Sequence, residues 1–326
     1  MLEFFVQKRH AFLITSVIFV VILLIPGVIG VMYYQTNQNL TAQTYIRQQT
    51  LINLATTAVK IKIDHLVGMA KSIASLDQIS KDVAGGRWDE AARVMSNLEN
   101  NVAFYDPFVD RVIFYDADGT QRAAYPTLVG GIGTSASSTD WYRSVSHGED
   151  SYVSGVAQRL SMPRIKVVSV AVPIRTGGAV NGFLVLQIPT NNFLEFGTDL
   201  SLGTYGFAYI VDAKGNLVAH PRFSSQTGAV VDYSFVPAVK EVMAGNVGTM
   251  ITYEPNQSER SVISYEPLQQ YRWGVVIQEL YDEAFAARDS ILSSYLLEII
   301  VALIIDLLFS CLILRLLVTR SKYKKP

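Results

Sequence analysis

Cysteine is almost absent from this sequence of 326 residues. The single cysteine, Cys311, lies inside an apolar run near the C-terminal end, so no disulfide can hold the rest of the chain together. The chain between its two apolar runs must therefore be stabilised by core burial alone. Its roughly 250 residues are enough to supply such a core.

Charge of one sign is also scarce, because 27 Lys and Arg oppose 28 Asp and Glu for a net charge of −1. This balance gives no electrostatic reason to expect a nucleic-acid partner. The four histidines, His10, His65, His147 and His220, have no metal-ligand spacing such as HExxH, and neither a GxSxG motif nor a phosphate-binding glycine loop occurs. The sequence therefore predicts no enzyme, no cofactor and no metal site.

Apolar residues, in contrast, make up 50% of the chain and concentrate in two runs. Residues 11–34 carry no charged side chain, and at about 1.5 Å per residue they can cross a hydrocarbon core of about 30 Å. Residues 295–318 form the second run, which Glu298, Asp306 and Arg315 interrupt. The sequence predicts two transmembrane helices.

Basic residues predict how these helices are oriented. Lys8 and Arg9 precede the first run, and the second run is closed or followed by Arg315, Arg320, Lys322, Lys324 and Lys325. Because positive charge favours the cytoplasmic side, residues 1–10 and 319–326 are predicted to be cytoplasmic. The chain between the runs is then extracytoplasmic, on a cell-membrane protein with two spans. A cleaved signal peptide is disfavoured because the first run is too long and lacks a small-x-small cleavage pattern.

The predicted region 35–100 begins with a long amphipathic helix. Apolar residues recur at intervals of seven: Tyr45, Ile52, Val59, Leu66 and Ile73. No Pro or Gly interrupts this pattern before Gly68, and a short helix is predicted to follow. The apolar stripe is wider than a two-stranded coiled-coil seam. Two readings stay open: packing of the helix against its own domain, and a dimer stalk.

Two stretches of the remaining chain carry the same pattern, "FYDADGTQRAAYP" at 114–126 and "YIVDAKGNLVAHP" at 209–221. Each reads as strand, tight turn and strand, with Gly119 or Gly215 supplying the positive φ of the turn. A second hairpin pattern, with a Pro in one strand and a Gly entering the next, also occurs twice. The sequence predicts an α/β (α+β) fold in which two similar antiparallel modules follow one another.

The ordered set of these segments resembles the double Cache sensor domain. The likeness covers about residues 35–290 and includes "TDWYRSVSHGEDSYVSG" and "WGVVIQEL". It implies two PAS-like modules on one long helix, the membrane-distal module at 101–190 and the membrane-proximal one at 191–290. In the family, which includes bacterial and archaeal chemoreceptors and sensor kinases, the distal module usually binds a small extracellular ligand.

The amino-acid-binding subgroup of that family matches this sequence only in part. Trp141 and Tyr142 match its "DWY" motif, but Thr139 stands where the subgroup has an Arg and Gln187 where it has an Asp. The resemblance implies that the Arg would bind a carboxylate and the Asp an ammonium group. The ligand is therefore not expected to be a standard α-amino acid.

The predicted ligand site gathers aromatic and polar residues of the distal module. The candidates are Arg122, Tyr125, Asp140, Trp141, Tyr142, Tyr152 and Gln187. Two have structural alternatives: Trp141 can fill the distal core, and Asp140 can cap the helix that follows. Arg159 and Arg164 could contact an anion but are expected at solvated strand ends, and His220 is expected in a turn.

Asp306 lies near the middle of the second apolar run, where a carboxylate is costly unless it is neutral or paired. It is predicted to be protonated or to bond a polar group on a second copy or on another membrane protein. We favour the partner contact, with toleration by water and a locally thinned bilayer as the alternative. The whole chain is predicted to be a homodimeric extracytoplasmic sensor that signals through a separate partner. A truncated receptor and a membrane-tethered solute-binding protein without signalling are the alternatives.

Overall fold

The computed structural model describes residues 2–98, 106–127, 130–159, 161–198, 204, 206–223, 228–253 and 259–322, with only the backbone of 2–23, 197–198, 314 and 316–322. The chain divides into two compact units. One consists of Met1–Arg47 and Asp282–Pro326, and the other of Gln48–Tyr281. The second unit holds both sheets.

Helices and strands follow one another in the predicted order. The helices are α1 (Leu2–Ala74), α2 (Asp77–Ala84), α3 (Trp88–Leu98), α4 (Asp140–Ser146), α5 (Glu195–Thr198), α6 (Pro237–Met243), α7 (Tyr281–Ala284) and α8 (Ala286–Lys322). The strands are β1 (Arg111–Asp116), β2 (Gln121–Tyr125), β3 (Tyr152–Val153), β4 (Ala157–Gln158), β5 (Lys166–Thr176), β6 (Ala179–Pro189), β7 (Phe207–Val211), β8 (Leu217–Ala219), β9 (Gly248–Tyr253), β10 (Arg260–Leu268) and β11 (Trp273–Leu280).

Helix α1 packs against its own domain along the predicted stripe. Ile52, Val59, Leu66 and Ile73 are each 1% exposed or less, because residues seven apart share one face of a helix. This confirms the first of the two readings for that stretch. The predicted region beyond α1 differs in one detail: α2 is a separate helix, since Leu76 adopts an extended conformation in front of it.

The first sheet has the strand order β2-β1-β6-β5-β3. Strand β4 pairs with the part of β5 that β3 does not cover. All of its pairings are antiparallel. Alternate side chains of a strand point to opposite faces, so Val112 and Phe114 join the core around α1. Ile113 and Tyr115 face the other way, into a cluster with α4. We call this second side the α4 face.

The second sheet repeats this arrangement with the order β8-β7-β11-β10-β9. Ile210 and Ile277 join the core around α1, whereas Tyr209 and Val276 pack against α6 on the other side, the α6 face. The predicted pair of antiparallel sheets and the long N-terminal helix are thereby confirmed. The two modules are called the first and the second module below.

Matching hydrogen bonds show how closely the modules correspond. Gly119 and Gly215 have φ of 78° and 79° in equivalent turns. The N–H of Ala136 donates to the carbonyl of Gly119 at 2.7 Å, and the N–H of Tyr233 donates to that of Gly215 at 2.9 Å. Each bond returns the chain to its turn before a short helix, α4 or α6. The repeated sequence pattern therefore encodes the same loop and helix as well as the same hairpin.

The two modules are joined through the turn of the second hairpin. Oδ2 of Asp212 accepts a hydrogen bond of 3.0 Å from the N–H of Val156. A Cβ atom on Gly155 would lie 2.5 Å from the same Oδ2, so only glycine permits this approach. Lys214 in the same turn donates to Asp140 of α4 at 3.1 Å. The Asp of the turn therefore connects the modules as well as shaping its own hairpin.

The other unit contains one described helix that is long and apolar enough to cross a bilayer. Its candidate span, Ala286–Ile313 of α8, has a mean hydropathy of 2.7 and overlaps the predicted second span. The predicted first span lies within α1, but most of its side chains are outside the described residues, so it stays a prediction. Within this unit, Tyr45 of α1 meets Phe285 edge to face with ring centroids 6.4 Å apart.

Candidate functional site

The α4 face of the first sheet carries a cluster of aromatic rings. The Trp141 ring lies 5.0 Å from Tyr115 and 6.1 Å from Phe183, centroid to centroid. Tyr142 contacts Phe183 at 5.4 Å, and the partly buried Tyr152 packs against the same cluster. Trp141 is only 5% exposed, which confirms that it contributes to the core of this module.

The start of α4 fixes where Trp141 and Tyr142 lie. The Oγ1 of Thr139 accepts a 3.3 Å hydrogen bond from the N–H of Tyr142 and donates to the carbonyl of Ala136 at 2.7 Å. The cap of α4 is therefore Thr139, and the prediction that Asp140 caps this helix is wrong. The geometry of a cap explains the difference, because the capping side chain must come from the residue just before the first helical turn.

Asp140 instead forms ion pairs on the surface. It accepts from Lys214 at 3.1 Å and from Arg143 at 2.6 Å. The hydrogen bond from Lys214 is the largest effect on this carboxyl and lowers its pKa. The exposed Asp140 therefore bridges α4 and the second module rather than facing the aromatic cluster.

Arg122 and Tyr125 of β2 also lie apart from the aromatic cluster. Nε of the exposed Arg122 donates to Asp116 at 2.6 Å, which closes the first hairpin. Tyr125 points to the α1 side, where it packs against the core. There it lines a cavity of about 110 Å³ together with Met69, Ile73, Met95, Asp106, Val109, Asp110, Arg111, Val112 and Pro126. The structure therefore does not bring all seven predicted residues together.

Gln187 lies half-buried on the α4 face beyond the aromatic cluster, in a small group of polar side chains that includes the buried Arg159. The Oε1 of Gln187 accepts a hydrogen bond of 3.0 Å from Nε of Arg159. Arg159 also donates through Nη2 to Asp110, and it is only 4% exposed. The expectation that Arg159 is a solvated strand end is wrong, because hydrogen bonds to Gln187 and Asp110 hold its guanidinium in a buried position. Arg164 in the β4–β5 connection is exposed, as expected.

Arg111 belongs to the same group and was missed by sequence reasoning. It pairs directly with Gln187 in the β1–β6 register and is 6% exposed. Burial lowers the pKa of Arg111, the nearby charge of Arg159 lowers it further, and Asp110 opposes both effects. The pattern "RVIFYD" contains a usable signal, since Arg111 alternates with Ile113 and Tyr115 and must share their inward face.

The corresponding side of the second module is filled by rings. His220 is 2% exposed, and its centroid lies 4.9 Å from Phe207, 5.2 Å from Tyr209 and 5.6 Å from Tyr233. Burial, assisted by the charge of Arg222, lowers the pKa of His220 to about 4. The ring is therefore neutral at pH 7, and Nδ1 accepts from the backbone N–H of Arg222 at 3.0 Å.

Among the described residues no group of three or more His, Cys, Asp or Glu side chains could hold a metal ion. Four of the seven predicted site residues instead form two parts: Trp141, Tyr142 and Tyr152 form an aromatic part, and Gln187 with its arginine neighbours forms a polar part. Both parts lie on the α4 face. This combination of apolar walls and a few polar groups is typical of small-molecule sites.

Comparison with known proteins gives one family and a set of similar folds. The Cache domain family matches residues 35–288 of the chain, and no curated protein matches it. The ligand-binding domain of the Pseudomonas fluorescens chemoreceptor CtaA, solved with L-isoleucine, is 13% identical, with 77% of this chain and 98% of that chain covered and a TM-score of 0.57.

Two further solved structures show the same fold at similarly low identity. The ligand-binding domain of the Pseudomonas aeruginosa chemoreceptor PctB, in complex with L-Arg, is 14% identical over 75% of this chain and 91% of that chain, with a TM-score of 0.54. A domain of a sensory box/GGDEF family protein from Vibrio parahaemolyticus is 14% identical over 75% and 99%, with a TM-score of 0.55.

Proposed function

Because this chain belongs to the Cache domain family, we propose that it is a membrane-anchored extracytoplasmic sensor whose first module binds a small molecule. One observation favours the first module over the second as the binding module. The α4 face of the first module ends in buried polar groups around Gln187, whereas the equivalent side of the second is packed with rings around His220. A ligand needs polar groups that fix its orientation, and the first module provides them.

The proposed binding surface runs along β6. Trp141, Tyr142 and Tyr152 form its aromatic wall, and Gln187 with Arg159 forms its polar end. Arg122 and Asp140 are held in ion pairs, and Tyr125 lies on the opposite face of the sheet. These three residues are therefore left out of the proposed site.

The ligand is proposed to differ from the amino acids that several relatives bind. CtaA was solved with L-isoleucine and PctB with L-Arg. In this chain Thr139 is occupied as the cap of α4, and the neutral amide of Gln187 cannot pair with an ammonium group as a carboxylate would. We therefore propose a ligand without the α-ammonium and carboxylate pair of a standard amino acid.

Thermal unfolding of the full chain in lipid nanodiscs, with a library of small metabolites, tests this function. A ligand that binds only the native state raises the melting temperature. We expect Gln187→Ala to remove that ligand-induced increase and Gln278→Ala, the equivalent change in the second module, to leave it. If Gln187→Ala retains the ligand-induced increase in melting temperature and Gln278→Ala removes it, the binding site lies in the second module. No increase with any compound would contradict ligand binding.

Signalling is proposed to pass through the membrane to a partner that Asp306 contacts. Oδ2 of Asp306 has no hydrogen-bond partner among the described residues, and an unpaired carboxylate is costly inside a bilayer. We expect Asp306→Leu to abolish ligand-dependent crosslinking through Ser294→Cys in a Cys311→Ser background, with Glu298→Leu as the control. Ligand binding without any change in crosslinking would favour a tethered solute-binding protein.

A homodimer is proposed because α1 exposes apolar residues one heptad apart. Leu54 is 56% exposed and Ile61 is 63% exposed, and two such positions suit contact with the same helix of a second copy. We expect Leu54→Cys to form a disulfide-linked dimer in membranes when Cys311 is replaced by Ser. Lys60→Cys, which is on a charged part of the same helix, is the control and should not crosslink.

A further inference from the structure

The cavity on the α1 side of the first sheet is not used by the proposed binding surface. Its volume is about 110 Å³, and its lining comes from α1, α3, β1 and the end of β2. The aromatic wall around Trp141 lies on the α4 face, which is the opposite face of the same sheet. The cavity is therefore a separate place at which a small molecule could bind.

Buried apolar side chains form most of the cavity wall. Met69 and Ile73 of α1, Met95 of α3 and Val112 of β1 line it, and each is at most 7% exposed. All four belong to the core around α1. Methionine is unbranched and polarizable, so the two methionines can adapt to ligands of different shape. The wall is therefore suited to an apolar occupant.

The volume of the cavity limits the size of that occupant. One water molecule requires roughly 10–15 Å³, whereas an apolar cavity of about 150 Å³ binds benzene or xenon. The cavity of about 110 Å³ is closer to the second value. A single small ring would therefore fit, and it would make van der Waals contacts with the methionines.

The charged group beside the cavity selects against charged ligands. Asp106 lines the cavity and is already paired with Lys62 at 2.9 Å, with His65 at 3.3 Å and with the N–H of Phe108 at 2.9 Å. Burial acts to raise the pKa of Asp106, but the hydrogen bonds from Lys62 and Phe108 outweigh it and lower the pKa. The ionised carboxylate would repel an anion, and a cation would have to displace Lys62. An uncharged molecule meets neither cost.

We propose that the first module has a second ligand site in this cavity, which binds a small uncharged apolar molecule about the size of one aromatic ring. The site is independent of the ligand proposed for the α4 face. Its occupant contacts α1 through Met69 and Ile73, and α3 through Met95. The exposed Pro126 is part of the lining, so the cavity reaches the surface there and a ligand can enter.

Uncharged and charged ring compounds test this proposal on the full chain in lipid nanodiscs. The uncharged probes are phenol and benzyl alcohol, and the charged probes are benzoate and benzylammonium. A ligand that binds only the native state raises the melting temperature, so we expect an increase with the uncharged probes and none with the charged ones. By calorimetry phenol should bind in the millimolar range, as expected for so small a ligand. Gln187→Ala, on the other face, should leave this affinity unchanged.

A variant that fills the cavity identifies the site. Met95→Trp adds a larger side chain to the wall, and we expect it to weaken the binding of phenol by at least about tenfold. Met243→Trp is the matched control, because Met243 is 44% exposed on α6 of the second module. It should leave the affinity for phenol unchanged, and it also corrects for partition of the probe into lipid.

A second variant keeps the test sound if the larger side chain of Met95→Trp unfolds the module. Met95→Ala enlarges the cavity, so we expect naphthol to raise the melting temperature of this variant but not that of the native chain.

Four outcomes would overturn the proposal. They are no increase with phenol or benzyl alcohol up to about 10 mM, equal increases with benzoate, undiminished affinity for phenol in a folded Met95→Trp variant, and equal effects of naphthol on Met95→Ala and the native chain. Loss of phenol binding in Gln187→Ala would overturn it as well, because the compound would then bind on the α4 face. The proposed sensor function stands in each case, since its test uses a ligand that depends on Gln187.

Discussion

The two modules have the same arrangement of strands and helix, but different side chains occupy their interiors. At equivalent positions of the second strand the first module has Ala124 and the second has His220. Where the loop returns to the turn, Ala136 in the first module corresponds to Tyr233 in the second. The second module therefore places rings where the first has methyl groups, and its interior is occupied by its own side chains.

The polar ends of the two faces differ as well. Gln187 is the register partner of Arg111, and the equivalent Gln278 is the register partner of Phe207. In the second module the amide of Gln278 donates to Ser261 at 3.0 Å, a bond between neutral groups. A guanidinium with unpaired donors thus occurs at this position of the first module only. The difference teaches that two copies of one repeated arrangement can bury different polar groups at equivalent positions.

The largest expected effect concerns the aspartates of the two equivalent turns. Asp212 is 1% exposed and accepts from the N–H groups of Val156, Lys214 and Asn216, whereas Asp116 serves only its own hairpin. A buried donor left without its acceptor costs about 1–3 kcal/mol. The three donors to Asp212 are partly buried, so Asp212→Ala should lower the free energy of unfolding by about 4 kcal/mol. Asp116→Ala should cost about half as much.

Denaturant unfolding of both alanine variants in detergent or nanodiscs measures this difference. If Asp212→Ala and Asp116→Ala lose the same unfolding free energy, the hydrogen bond between Asp212 and Val156 that joins the modules contributes nothing to stability. A Gly155→Ala variant sharpens the comparison, because its Cβ would meet Oδ2 of Asp212 at 2.5 Å. It should weaken the contact between the modules while leaving the sequence of both turns unchanged.

The next effect in size is the pH dependence of the second module. The His220 imidazole has a pKa lowered to about 4 by burial in the folded protein and about 6.5 in the unfolded chain. The unfolded chain therefore binds a proton first, and stability falls as the pH drops from about 6.5 to about 4. The loss approaches about 3 kcal/mol.

Unfolding measured between pH 7 and pH 4 checks this dependence. His220→Gln should flatten the profile in that window, since the replacement does not titrate. His147 of the first module is exposed, so His147→Gln is the matched control and should leave the profile unchanged. An unaltered profile in His220→Gln would mean that other groups cause the acid sensitivity.

The smallest effect concerns the caps of the equivalent helices. Thr139 caps α4 with its hydroxyl, whereas Val236 precedes α6 without a side-chain cap. Thr139→Ala should cost about 1 kcal/mol of unfolding free energy. Ser138→Ala, a change at the exposed neighbour, should cost nothing measurable by the same unfolding experiment.

Much of the fold was predictable because it depends on local patterns. The repeat of Ile52, Val59 and Leu66 defined the buried face of α1, since a helix places residues seven apart on one side. The turns at Gly119 and Gly215 were predictable because only glycine adopts their positive φ without strain. The candidate site was predicted in part: Trp141, Tyr142 and Tyr152 meet, but Arg122 and Tyr125 lie elsewhere.

The sequence by itself determined the antiparallel strands, the tandem repeat and the apolar runs, because each follows from neighbouring residues. Only the tertiary structure decided that Arg111, Arg159 and Gln187 meet on one face, since 76 residues separate the first from the last. It also decided that His220 is neutral within a ring cluster. Burial is the physical reason in both cases: the environment of a charge is set by the segments folded over it, and no local pattern encodes those segments.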